Sequence, residues 1–156
     1  MIPRWQVEEL AQSIVDNMDS ANTIVSALRP EEWVKKGASE DYVEQHATLL
    51  REMRQTKLAA QGLAREPERL TYAMDAFLWL ERVDSLLGSV SAGARTYYNS
   101  AVASLLDSAR NRNADGIATV KGYVRQVAAH VEASMEVAHR EAQRCREAII
   151  ARPPGR

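Results

Sequence analysis

Apolar residues recur at helical spacing through four long stretches of the chain. In the first stretch the steps alternate between three and four residues, which places one apolar face along a helix: Val7, Leu10, Ile14, Met18, Ala21, Val25 and Leu28. Three similar stripes follow, with almost no strand character between them. Four long helices joined by short connections predict an all-α protein, an antiparallel four-helix bundle.

Prolines and capping residues set the predicted helix boundaries. The first helix is predicted to begin at Pro3, whose missing N–H costs nothing in a first turn, and to end just before Pro30. Ser39 is a good N-cap for the second helix, which runs to about residue 65. The third helix follows the break at residues 66–67.

Two short corner helices are predicted between the long ones. Residues 30–36 place Pro first, acids next and lysines last, with Gly37 as the terminator, which matches the helix macrodipole. The second corner helix covers residues 100–112, with Asn99 as its cap, and the polar stretch 111–116 predicts a break or a kink. We therefore expect a single domain over residues 1–151, followed by a flexible tail over 152–156.

Composition and charge exclude several classes of protein. Hydrophobic residues make up 46% of the 156 residues and charged residues 26%, and the net charge is −1. This balance is ordinary for a soluble globular protein and gives no basic field that would gather nucleic acid. No apolar run is long enough to cross a membrane. Without a recognisable leader the chain is predicted to be cytoplasmic as it stands, although a mature exported domain would look the same.

Catalytic and metal-binding groupings are weak in this sequence. Glu136 and His139 form a Glu-x-x-His pair of the kind that holds metals in helical bundles, but the chain has no second such pair. The single Cys145 falls on the apolar stripe of the last helix, which predicts an inert buried thiol without a base beside it. We therefore predict no enzymatic activity, no cofactor, no metal and no catalytic residue.

A polar pocket in the bundle core is a candidate ligand site. His46 and Tyr42 share the apolar face of the second helix, and Asp84 lies between two leucines on the third. A buried acid needs a hydrogen-bond donor, for which His46 or an arginine from a facing helix is expected. By default, these polar residues are interpreted as hydrogen-bonded core residues with a purely structural role. The alternative is a small-ligand pocket that also includes Met53 and Phe77.

Aromatic residues in the predicted connections are candidate interface anchors. Trp33, Tyr97 and Tyr98 lie where the chain turns between helices, and aromatic side chains concentrate binding energy at protein interfaces. Capping of the bundle ends is the competing and simpler interpretation, because residues in such connections must pack onto something.

Two short segments resemble a known group of proteins. Residues 30–38 (Pro-Glu-Glu-Trp-Val-Lys-Lys-Gly-Ala), followed by Tyr42-Val43, and residues 141–146 (Glu-Ala-Gln-Arg-Cys-Arg) are similar to segments of an uncharacterised family of small bacterial helical-bundle proteins. Some members of that family are made with export leaders, so the resemblance implies export. It implies no activity and no site residues.

The function predicted from these observations is a non-enzymatic helical interaction or structural module. It would act on a protein partner or through self-association, without binding nucleic acid and without inserting into a membrane. The alternative function is a small-ligand sensor or carrier with its pocket in the bundle core.

Overall fold

The computed structural model describes residues 2–152 and residue 155. Across these residues the chain forms five helices and no strand: α1 (Arg4–Val25), α2 (Pro30–Val34), α3 (Asp41–Arg65), α4 (Leu70–Tyr97) and α5 (Ser100–Ile150). The predicted all-α class is confirmed. Residues 153, 154 and 156 of the predicted tail lie outside the described residues.

The four long helices form a ring in which each helix runs antiparallel to its neighbours. Helix α1 packs against α3 and α5, and α4 packs against the same two helices. Side chains join the helices at matching heights: the Asn17 amide donates to the Ala109 carbonyl at 3.1 Å, and the Tyr123 hydroxyl donates to the Pro67 carbonyl. The Tyr123 contact fixes where α5 passes the α3–α4 connection, at one end of the bundle.

The core consists of the apolar faces that the helical spacing predicts. Each long helix contributes side chains that are almost completely excluded from water, the largest being Met18, Leu49, Met53, Leu63, Leu80, Leu87 and Leu106. Burial of such side chains is the main favourable term in folding. A single apolar cluster runs through the bundle from Val7 to Val127.

The corner helix α2 is confirmed, and it is held in place by stacked aromatic rings. Trp33 is buried and packs edge-on against Tyr42, with ring centroids 5.8 Å apart, and Tyr42 packs against Tyr97 at 6.2 Å. These rings press onto α4 at Gly93, where an added Cβ would lie 2.6 Å from a Tyr42 ring carbon. The absence of a side chain at Gly93 therefore allows the aromatic corner to close.

Helix α5 is continuous, so the predicted second corner helix and the predicted break at residues 111–116 are wrong. Asn99 does cap the helix, accepting hydrogen bonds from the backbone N–H groups of Ala101 and Val102. The polar residues that suggested a break make tertiary contacts instead: Asn113 is buried and donates to the Leu80 carbonyl at 2.9 Å. Such contacts outweigh the modest intrinsic cost of Asn and Gly within a helix.

No helix among the described residues is long and apolar enough to span a membrane.

Candidate functional site

The predicted polar pocket is not assembled, because its three residues face different surroundings. His46 Nε2 lies 2.6 Å from the Val25 carbonyl oxygen, and Tyr42 belongs to the aromatic corner. Asp84 pairs with Arg110 on the facing helix α5. The expectation of an arginine donor for Asp84 is therefore confirmed, whereas a contact between Asp84 and His46 does not form.

The three predicted interface aromatics also differ in their surroundings. Trp33 is buried and Tyr97 is half-buried, and both close the end of the bundle. Tyr98 is exposed, with 56% of its surface accessible. Trp33 is therefore inaccessible to a partner, whereas Tyr97 is partly accessible and Tyr98 lies at the surface.

Cys145 is exposed, so the prediction of a buried thiol is wrong. Glu136 pairs with Arg140 at 2.5 Å rather than with His139. The described residues contain no grouping of three or more His, Cys, Asp or Glu side chains that could hold a metal ion. The reason for the exposure of Cys145 lies in the length of α5.

Helix α5 has 51 residues and runs well past the end of the bundle. Its last fully buried residue is Val127, Val131 is half-buried, and every residue from 132 to 150 is exposed. We call residues 132–150 the projecting segment. At 1.5 Å per residue it reaches about 28 Å beyond the bundle.

The apolar face of α5 does not end where the bundle ends. Within the bundle that face includes Leu106, Val120 and Val127. The same face continues outward at spacings of three and four residues, and we call this continuation the outer stripe: Val131, Met135, Ala138, Ala142, Cys145 and Ile149. Met135 and Ile149 are 67% and 71% exposed, respectively. Val131 still packs in part against the bundle core, and from Met135 outward the outer stripe is a core-type face with nothing packed on it among the described residues.

The opposite side of the projecting segment is mostly polar, with Val137 as an exposed apolar exception, and favours helix formation. Glu136 and Arg140, four residues apart, form one of the ion pairs that stabilise isolated helices, and the Gln143 amide donates to Glu147. The segment therefore carries an apolar face and a solvated face, as a helix that binds another helix does.

A second candidate is a groove of about 280 Å³ between α1 and α5. Its apolar walls include Ile14, Met18 and Leu80. Asn113 also lines it, and its Oδ1 atom is a buried acceptor without a hydrogen-bond partner in the described part of the chain. Arg112 borders the groove and donates to Asn17 Oδ1 at 2.8 Å.

The sequence predicted an apolar stripe on the last helix but placed that stripe, with Cys145, in the core. The available signal was length: α5 has 51 residues, about twice the 22 and 25 residues of helices α1 and α3, so those helices cannot cover all of its apolar face. The groove gave no such signal, because Asn113 and Gly116 fell in the stretch predicted to break.

Comparisons of the chain with protein-family models, with curated proteins and with solved structures gave no match.

Proposed function

We propose that the protein is a non-enzymatic helical interaction module that binds another protein chain through the outer stripe. The observation that carries the proposal is that the core face of α5 continues, uncovered, along the whole projecting segment. Apolar faces of this kind are removed from water when a partner helix packs on them, and this burial drives association.

The form of the segment also supports this proposal. A helix that is already folded loses little conformational entropy when a partner binds, so more of the contact energy appears as affinity. Small side chains at Ala138 and Ala142 let a second backbone come close, whereas Met135 and Ile149 supply apolar area. Binding through such a helix face is a recurrent mode of protein recognition.

Export, which the family resemblance implies, remains a prediction.

A photocrosslinking experiment tests the function in the cells that naturally make the protein. A benzophenone amino acid is placed at Ala142, on the outer stripe, or at Ala133, on the opposite side of the same segment. We expect a discrete crosslinked adduct from position 142 and none from position 133. No adduct from position 142, or equal adducts from both positions, would overturn the proposal.

A small-ligand carrier is the second candidate function. Its binding site would be the groove between α1 and α5 rather than the predicted pocket. The unpaired Asn113 Oδ1 favours a small apolar molecule that brings one N–H or O–H donor. Indole and benzyl alcohol are suitable probes. A saturable rise in melting temperature that disappears in Gly116→Phe, which fills the groove, supports this candidate, and no shift with either probe removes it.

A further inference from the structure

We propose that the outer stripe binds the outer stripe of a second copy of this chain, with the two projecting segments antiparallel. The inference rests on the proposed function and names its partner. It follows from three properties of the segment: which face the stripe occupies, how its side-chain sizes are arranged, and where its charges lie.

The position of the stripe decides the orientation. Because the outer stripe is on the same face of α5 that the bundle buries, a parallel partner helix would run on into the space held by α1 and α4. An antiparallel partner avoids this clash, because its helix α5 ends at Ile150, which in this orientation lies beside the end of the first bundle. The two bundles then lie at opposite ends of the paired helices.

One antiparallel register uses every position of the stripe. Val131 faces Ile149 of the second copy, Met135 faces Cys145, and Ala138 faces Ala142, and each pairing occurs twice by symmetry. The larger side chains meet at the two ends and the small ones meet at the centre. The small side chains at the centre let the two helices approach most closely at the two-fold axis.

Charge on one flank of the stripe fits the same register. Glu132, His139 and Arg146 follow at seven-residue intervals along that flank. In the antiparallel pair Glu132 lies beside Arg146 of the second copy, twice per dimer, and His139 lies near the two-fold axis. The other flank brings the two exposed Glu141 side chains towards each other once. The two attractive contacts outnumber the single repulsive one.

Sedimentation equilibrium tests whether the second copy binds. We expect a mass of twice 17.4 kDa for the full chain. Ala142→Glu should give the monomer mass, because it buries a charge in the stripe, whereas the matched control Ala133→Glu should remain a dimer. Circular dichroism checks that both variants stay helical. A monomeric parent chain, or dissociation by both variants, would overturn the proposal.

Disulfide formation tests the orientation, using the single natural cysteine. Residues 135 and 145 of one chain are about 15 Å apart along the helix, so they cannot be bridged within a chain. In the proposed register Met135→Cys should oxidise to a covalent dimer, and neither the parent chain nor Met135→Cys/Cys145→Ser should do so. A disulfide dimer of the parent chain would show that the helices are parallel and overturn the register.

The cellular crosslink separates failure of this inference from failure of the proposed function. A monomer in solution together with an adduct of some other mass at position 142 would overturn self-pairing and leave the interaction module standing. An adduct of two chains supports both.

Discussion

Arg110 of α5 and Asp84 of α4 form a two-pronged ion pair across the helix interface, with Nε and Nη2 each 3.2 Å from a different carboxylate oxygen. The hydrogen bond from Arg110 to Asp84, followed by the attraction between their charges, raises the pKa of the Arg110 guanidinium. Asp84 is therefore satisfied by a cation that stays charged at any ordinary pH.

The energetic value of this pair is limited by water. The side chains of Asp84 and Arg110 are 27% and 45% exposed, so solvent screens their attraction. We expect Asp84→Ala to cost about 0.5–1 kcal/mol of unfolding free energy. Urea unfolding of the single variants at Asp84 and at Arg110, and of the double variant, measures the coupling free energy between the two side chains. A loss well above 2 kcal/mol would mean that the carboxylate is effectively buried.

Gly93 and Gly122 should respond in opposite directions to the same substitution. At Gly93 an added Cβ meets Tyr42 and Trp33 at 3.0 Å or less, so Gly93→Ala should destabilise by about 1–3 kcal/mol through overpacking. At Gly122, on the exposed side of α5, nothing lies within 4 Å, and Gly122→Ala should stabilise by about 0.5–1 kcal/mol. Thermal unfolding measures both. Equal effects would contradict the close packing at the aromatic corner.

Tyr123 should make the protein sensitive to alkaline pH. Burial, with a smaller contribution from Glu68, raises the pKa of the Tyr123 hydroxyl above its usual value of 10.0. Because the folded-state pKa is the higher one, this contribution to stability is complete below about pH 10 and is lost as pH rises through the folded-state pKa.

Tyr123→Phe isolates that contribution. The variant should lose about 1 kcal/mol at neutral pH through the missing hydrogen bond to Pro67, and its stability should fall less steeply in alkali. Unfolding free energies measured across this pH range compare the two proteins. An identical alkaline slope would show that other groups cause the dependence.

Removal of the projecting segment should leave the bundle intact. A chain ending at residue 131 should melt at the same temperature as full-length Ala142→Glu, because residues 132–150 are exposed and bury nothing against the bundle. Ala142→Glu is the proper reference because it removes any contribution from pairing. A large fall in the melting temperature would mean that the segment does support the core.

Much of the fold is predictable because helical spacing and helix breakers act locally. The corner helix that begins at Pro30, the break at residues 66–67 and the cap at Asn99 are present in the structure, whereas α1 ends at Val25, earlier than the predicted end just before Pro30. The continuity of α5 at Asn113 was not predictable, because it depends on a carbonyl of another helix, that of Leu80. Local preference favoured a break, and the tertiary contact prevails over it.

The candidate site shows the same limit. An apolar stripe indicates which face of a helix avoids water, but it does not say what covers that face. Val120 and Met135 follow the same pattern in the sequence, and only the lengths of the neighbouring helices bury the first and expose the second. The partner of Asp84 was foreseeable as a class of residue, whereas the choice of Arg110 depended on the register between α4 and α5.

Helix α5 is one uninterrupted helix that connects the bundle to the projecting segment. Backbone hydrogen bonds run without interruption from the Asn99 cap, an exposed residue at the start of α5, to Ile150, so the projecting segment is joined directly to the part of the helix that packs around Asn113 and Val120. A partner bound at the end of the projecting segment is therefore held about 28 Å from the bundle, and a force applied there acts on the bundle core through this one helix.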